Sequence, residues 1–134
     1  MKPQQSDVEY CIEHKDFVNG LLEKRGGWQQ GDWFIRSATQ CHPRVVEGMN
    51  HADVMNMLSV AGEIWLPSVD DVLAMLEERG YSDLRTLITT HWPGRPLTEC
   101  YLVIADPLAE CKPRAYGITR LIAHLELSRA VEGK

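Results

Sequence analysis

Glu63-Ile64-Trp65-Leu66-Pro67-Ser68-Val69-Asp70-Asp71-Val72-Leu73-Ala74-Met75-Leu76-Glu77-Glu78-Arg79-Gly80 carries the strongest structural signal in the chain. Ile64, Trp65 and Leu66 suit a short strand, with the Trp65 ring buried in it. Ser68 then suits the N-cap of a helix over 68–79, with Asp71 three residues on returning the bond as an acidic variant of the capping box. Asp70 and Asp71 sit at the positive end of the helix dipole, and Gly80 suits the left-handed residue that closes the helix. Val69, Val72, Leu73 and Leu76 form one apolar stripe, and Glu77 and Glu78 lie outside it.

Toward the N-terminus, Val8, Cys11, Ile12, Val18, Leu21 and Leu22 recur at three- and four-residue spacing, which predicts a helix over 7–25 capped by Ser6-Asp7 and stopped by Gly26-Gly27. Gly20 costs this helix up to about 1 kcal/mol relative to alanine, so packing must support it. A turn-rich joint around Trp28 leads to Asp32-Trp33-Phe34-Ile35-Arg36, whose aromatic and β-branched content reads as a strand. Residues 37–52 hold Cys41-His42-Pro43, Gly48 and Asn50 and read as an irregular loop, followed by a short helical turn at about 52–59.

Toward the C-terminus, Thr86, Ile88, Thr89 and Thr90 favour a strand over 84–91, although local propensity leaves a helix capped by Ser82 or Asp83 open. Pro93-Gly94-Arg95-Pro96 reads as a turn, and Cys100-Tyr101-Leu102-Val103-Ile104-Ala105 as the second arm of a hairpin ended by Asp106-Pro107. In that hairpin Tyr101 and Val103 share one face, and Leu102 and Ile104 the other. Ile118, Leu121, Ile122 and Leu125 predict a last helix from about 114 to 130. The order α-β-α-β-β-α without repeats or linkers gives an α+β fold, a small and mainly antiparallel sheet packed with helices, and 134 residues suit one domain over 1–134.

Composition narrows the function. With 44% hydrophobic and 25% charged residues the chain is globular, and a formal net charge of −5 disfavours direct binding to nucleic acid or an anionic membrane. The opening MKPQQSDVEY lacks the apolar run of a signal peptide, so a cytoplasmic location and free thiols are expected for Cys11, Cys41, Cys100 and Cys111.

The segments from Ile64-Trp65-Leu66-Pro67 through Arg79-Gly80-Tyr81, then Tyr101-Leu102-Val103-Ile104, then Ala115-Tyr116-Gly117-Ile118-Thr119-Arg120-Leu121-Ile122 resemble small phage and prophage proteins of the phage ABA sandwich type. There a Trp-x-Pro element precedes a helix, a hairpin follows, and the last helix begins with small residues and an aliphatic, arginine-containing segment. The resemblance covers about residues 63–130. It implies a fold and a phage or prophage setting, and it supplies no catalytic residue.

Candidate chemistry is sparse. Cys11 and His14 on one helix, with Cys41-His42, are the residues from which a zinc site would be built, but adjacent Cys41 and His42 rarely both reach one tetrahedral ion, and no metal or other cofactor is expected. Pairs of Cys41 or Cys111 with His51, His91 or His124 lack any local signature of an oxyanion hole or orienting acid. Asp70-Asp71 and Glu77-Glu78 are explained by helix-end charge and solubility, and no glycine-rich loop has the phosphate-cradling form. No catalytic residue is assigned.

Four tryptophans are many for this length, and Trp28 and Trp92 lie at turns, where aromatic anchors make interfaces. The expected partner-binding residues are Trp28, Trp92, Glu9, Glu13 and Asp16, the acids favouring a basic protein such as a nucleic-acid-binding host factor. The expected function is that of a non-enzymatic phage or mobile-element accessory protein acting by protein–protein binding, in particular an inhibitor of a bacterial defence system of the anti-CRISPR kind. Two alternatives stay open: a structural or regulatory homo-oligomer such as a homodimer, and a metal- or thiol-dependent enzyme.

Overall fold

The computed structural model describes residues 3–39, 41–46, 63–81, 84–96, 99–104 and 114–132. The fold is α+β. Its described residues form four helices and two three-stranded antiparallel sheets. Length alone points to one domain; the internal contacts group into two compact units, Met1–Pro67 and Ser68–Lys134.

In the first unit the N-terminal amphipathic segment forms two helices, α1 (Gln5–Glu13) and α2 (Lys15–Arg25), where one helix over 7–25 was expected. His14 leaves helical geometry at φ −115° and ψ 37°, yet its N–H still donates to the Tyr10 carbonyl and its carbonyl accepts from Val18. The junction is therefore a kink, with the His14 ring 4.4 Å from that of Tyr10. Ser6 and Asp7 lie inside the first turn, and Gln4 stands at the N-cap without a side-chain bond. Gly26, at φ +107°, ends α2: the Gly26 and Gly27 N–H groups donate to the Glu23 and Leu22 carbonyls, a Schellman closure that favours glycine.

The sheet of this unit has the order β2 (Arg44–Val45), β1 (Trp33–Ile35), β3 (Ile64–Leu66), and α1 and α2 both pack on β3. Phe34 pairs with Trp65 across β1 and β3, and Ile35 pairs with Ile64. Ile64, Trp65, Leu66, Phe34 and Ile35 are all buried, together with Val8, Cys11, Val18 and Leu21 of the helices. At about 25 cal/mol per Å² of apolar surface removed from water, this cluster is the unit's main source of stability.

In the second unit α3 (Val69–Glu78) has the expected capping box: Asp71 N–H donates to Ser68 Oγ at 3.1 Å and Ser68 N–H to Asp71 Oδ2 at 2.9 Å. Gly80, at φ +93°, closes it, with Gly80 N–H on the Glu77 carbonyl and Tyr81 N–H on the Leu76 carbonyl. The apolar stripe is narrower than expected. Val72 and Leu76 are buried, whereas Val69 and Leu73 are half-buried.

The predicted hairpin is present as β4 (Arg85–Thr89) and β5 (Cys100–Ile104), in register from Arg85 opposite Ile104 to Thr89 opposite Cys100. The expected C-terminal helix over 114–130 is corrected: Arg114–Gly117 is a third strand, β6, and the helix α4 runs Arg120–Glu132. Thr119 marks the boundary, because its carbonyl accepts from Ala123 N–H and its Oγ1 from Ile122 N–H, an N-cap arrangement. Gly117 allows the strand to lie against the helix. A Cβ there would sit 2.3 Å from the Ala123 nitrogen.

Helix α4 packs on β5 and β6 on one side and on α3 on the other, so Leu121, Ile122, Ala123, Leu125, Leu127 and Val131 are buried around most of its circumference. The short helical turn expected at 52–59, the Asp106-Pro107 break, Cys111 and His51 lie outside the described residues.

Candidate functional site

Two of the expected binding features separate once side chains are placed. Trp28 is 8% exposed and packs edge-on against Phe34, ring centroids 5.7 Å apart, so its expected exposure at a turn is corrected: the Gly26-Gly27 closure folds it back into the core. Glu9, Glu13 and Asp16 are exposed on α1 and α2, with Glu9 and Glu13 stacked one turn apart. Trp92 is half-buried in the second unit, beyond β4.

The surroundings of Trp92 follow from strand register. Ala115 and Gly117 are buried toward α4, so Tyr116 and Arg114 point to the opposite face of the sheet. Pairing places Leu87, Leu102 and Tyr116 in one row of that face and Arg85, Ile104 and Arg114 in the next. Trp92 stacks on Tyr116 with rings 6.2 Å apart and 16° from parallel, and the Arg95 guanidinium lies 4.0 Å from the Trp92 centroid. One end of the face is thus closed, where Cys100 is also buried.

The β4 side is open. Leu87 is 48% exposed and Ile88 63%, one on each face of a strand that is the edge of its sheet. Leu102, Ile104 and Tyr116 are half-buried, and Arg85, Arg95 and Arg114 are exposed. None of these three arginines has a carboxylate partner among the described residues. The sequence marks Trp92 and sets Leu102 and Ile104 on one face, whereas Arg85, Arg114 and Tyr116 join them only through the register.

Among its described residues the first unit shows no comparable face. Its edge strand β3 is covered by one side chain: Asn19 of α2 donates from Nδ2 to the Glu63 carbonyl at 2.9 Å and accepts at Oδ1 from Trp65 N–H at 3.1 Å, the two bonds a neighbouring strand would make. Arg25 holds Asp32 in a part-buried, two-pronged ion pair and lies 4.5 Å over the Trp65 ring. Glu63 is buried with Oε2 lacking a hydrogen-bond partner, and burial pushes its carboxyl above the ordinary range, while Arg36 at 3.7 Å pulls it back down.

Cys111 and His51 lie outside the described residues, and the other thiol and histidine candidates form no metal-holding group among those described. Burial, then the Asp7 charge, pushes the Cys11 thiol up to about 12, far from a thiolate at neutral pH. Cys41 donates to the Ala38 carbonyl. His124 is buried and donates Nδ1–H to the Arg120 carbonyl at 2.6 Å, and desolvation lowers its pKa below the usual histidine value. Among the described residues no group of three or more His, Cys, Asp and Glu is placed to hold a metal ion, and no helix is long and apolar enough to cross a membrane. No family model, curated protein or solved structure matches the chain.

Proposed function

We propose that this chain is a non-enzymatic binding protein, and that the open face and edge of the second unit's sheet form a working surface. The observation that carries this reading is the exposure of Leu87 and Ile88 on both faces of an edge strand, beside a packed Tyr116–Trp92–Arg95 stack. Apolar side chains on a sheet edge are a standing aggregation hazard, and a partner that covers them removes it. The acidic residues Glu9, Glu13 and Asp16 supply a second surface, suited to a basic protein.

The resemblance over residues 63–130 supports a phage or mobile-element setting, and an inhibitor of a host defence protein that binds nucleic acid is the occupation that joins this setting to the acidic helices. The test is to capture the partner from the natural host, purify it, and titrate it by calorimetry with Leu87→Lys and with Glu9→Lys/Glu13→Lys. Loss of affinity in either variant supports binding through that surface. Parental affinity in both overturns the reading. A homo-oligomer paired through β4 is the second reading, favoured by the same free edge, and a doubled mass in light scattering would identify it.

A further inference from the structure

We infer that the β4 edge and the arginine-framed face beside it receive an extended, acidic and aliphatic segment of a partner protein, which adds to the sheet as a fourth strand next to β4. This deepens the protein-binding reading above and rests on it. Strand addition supplies main-chain hydrogen bonds to an edge and lets alternate side chains choose the partner. In β4, Leu87 projects to one face and Ile88 to the other, and both are exposed, so an added strand would cover the two with its own alternating residues.

Charge selects among occupants. Arg85 and Arg114 flank Ile104 across the sheet, on a chain whose net charge is −5, and neither has a carboxylate partner among the described residues. Arg85, on β4 itself, is the arginine an incoming strand reaches, and it fits a glutamate or aspartate there, since guanidinium and carboxylate pair two-pronged; Arg114, on the far strand β6, adds positive potential to the same face. A second copy of β4 brings Arg85 and no acid, which leaves every one of these arginines unpaired. A single-stranded nucleic acid needs bare ring faces on which bases stack. Here Trp92 is already stacked with Tyr116 and topped by Arg95, and the open rows are built on Leu87, Leu102 and Ile104.

The probe is a short synthetic peptide of alternating valine and glutamate, added to isotope-labelled full chain and followed by amide NMR. Shifts should centre on Arg85–Thr89, and added salt should weaken them. The Arg85→Glu/Arg114→Glu variant changes two exposed side chains, so it should fold as the parent, which circular dichroism checks, and should lower affinity about tenfold. A valine–lysine peptide that binds as well, an oligothymidylate that shifts the same amides in place of the peptide, β4 shifts that depend on chain concentration alone, or no shift at all would each overturn the proposal. The two readings fail separately. A captured partner that binds the double variant with parental affinity removes strand addition at this site and leaves protein binding in place.

Discussion

The two units use sheets of the same size and opposite fates. In the first, β3 is buried along its whole length, α1 and α2 cover it, and Asn19 occupies its outer edge like a missing strand. In the second, α4 covers one face over β5 and β6, and the edge strand β4 keeps Leu87 and Ile88 in water. The contrast teaches that a three-stranded sheet is closed or open according to what reaches it, and in the first unit two helices cover β3 while the Asn19 amide takes two of its edge bonds. Polar cover of that kind leaves no purchase for a partner; an apolar, arginine-framed edge invites one.

Truncation should expose this contrast most strongly. Trp65→Ala removes a fully buried ring and the platform under Arg25, and should cost about 3–5 kcal/mol in urea unfolding. Leu87→Ala, half in water already, should cost less than about 0.5 kcal/mol. Equal losses at the two sites would dissolve the distinction between a core sheet and a surface sheet.

The edge itself is probed by Asn19→Ala, which leaves the Glu63 carbonyl and the Trp65 N–H without their partner and should cost about 1–3 kcal/mol. Asn19→Asp keeps the acceptor but turns a carboxylate oxygen toward the Glu63 carbonyl, so it should cost at least as much as alanine. If Asn19→Ala unfolds at the parental urea concentration, the side chain is not what closes β3.

The smallest effects lie in pH dependence, and the two units should respond in opposite directions. Glu63 has a raised folded pKa, so the folded state holds its proton longer than the unfolded chain; stability falls as pH rises from the ordinary glutamate value, about 4.3, through the folded value, and then levels. Glu63→Gln should remove that fall. His124 has a lowered folded pKa, so below about pH 6.5 the unfolded chain takes up a proton that the folded one refuses, and stability declines with acid. His124→Gln should flatten that acidic limb. Urea midpoints measured from pH 4 to 8 for parent and variants check both signs.

Much of the architecture was legible because short-range rules agree with one another. The Ser68–Asp71 capping box, the Gly80 closure and the alternation of β5 are each set by residues within a few positions. The misses have physical reasons. Strand β6 reads as the start of the following helix because Ala115-Tyr116-Gly117 is short and borders an aliphatic stripe, although Thr119 is of a type that caps helices. Trp28 was expected at the surface because a turn says where the chain reverses and nothing about which way the ring then points. Neither the Asn19 bridge nor the Arg85–Ile104–Arg114 row has a local signature, since both depend on pairings between distant elements.

The closed and open edges are compared most directly by amide hydrogen exchange of the chain alone, read residue by residue. The Trp65 amide, bonded to Asn19 Oδ1, should be protected to a level that approaches global unfolding, while alternate amides of Arg85–Thr89, those pointing away from β5, should exchange close to the rate of an unstructured peptide. Uniform protection throughout β4, or a Trp65 amide that exchanges as fast as the outward amides of β4, would contradict the account.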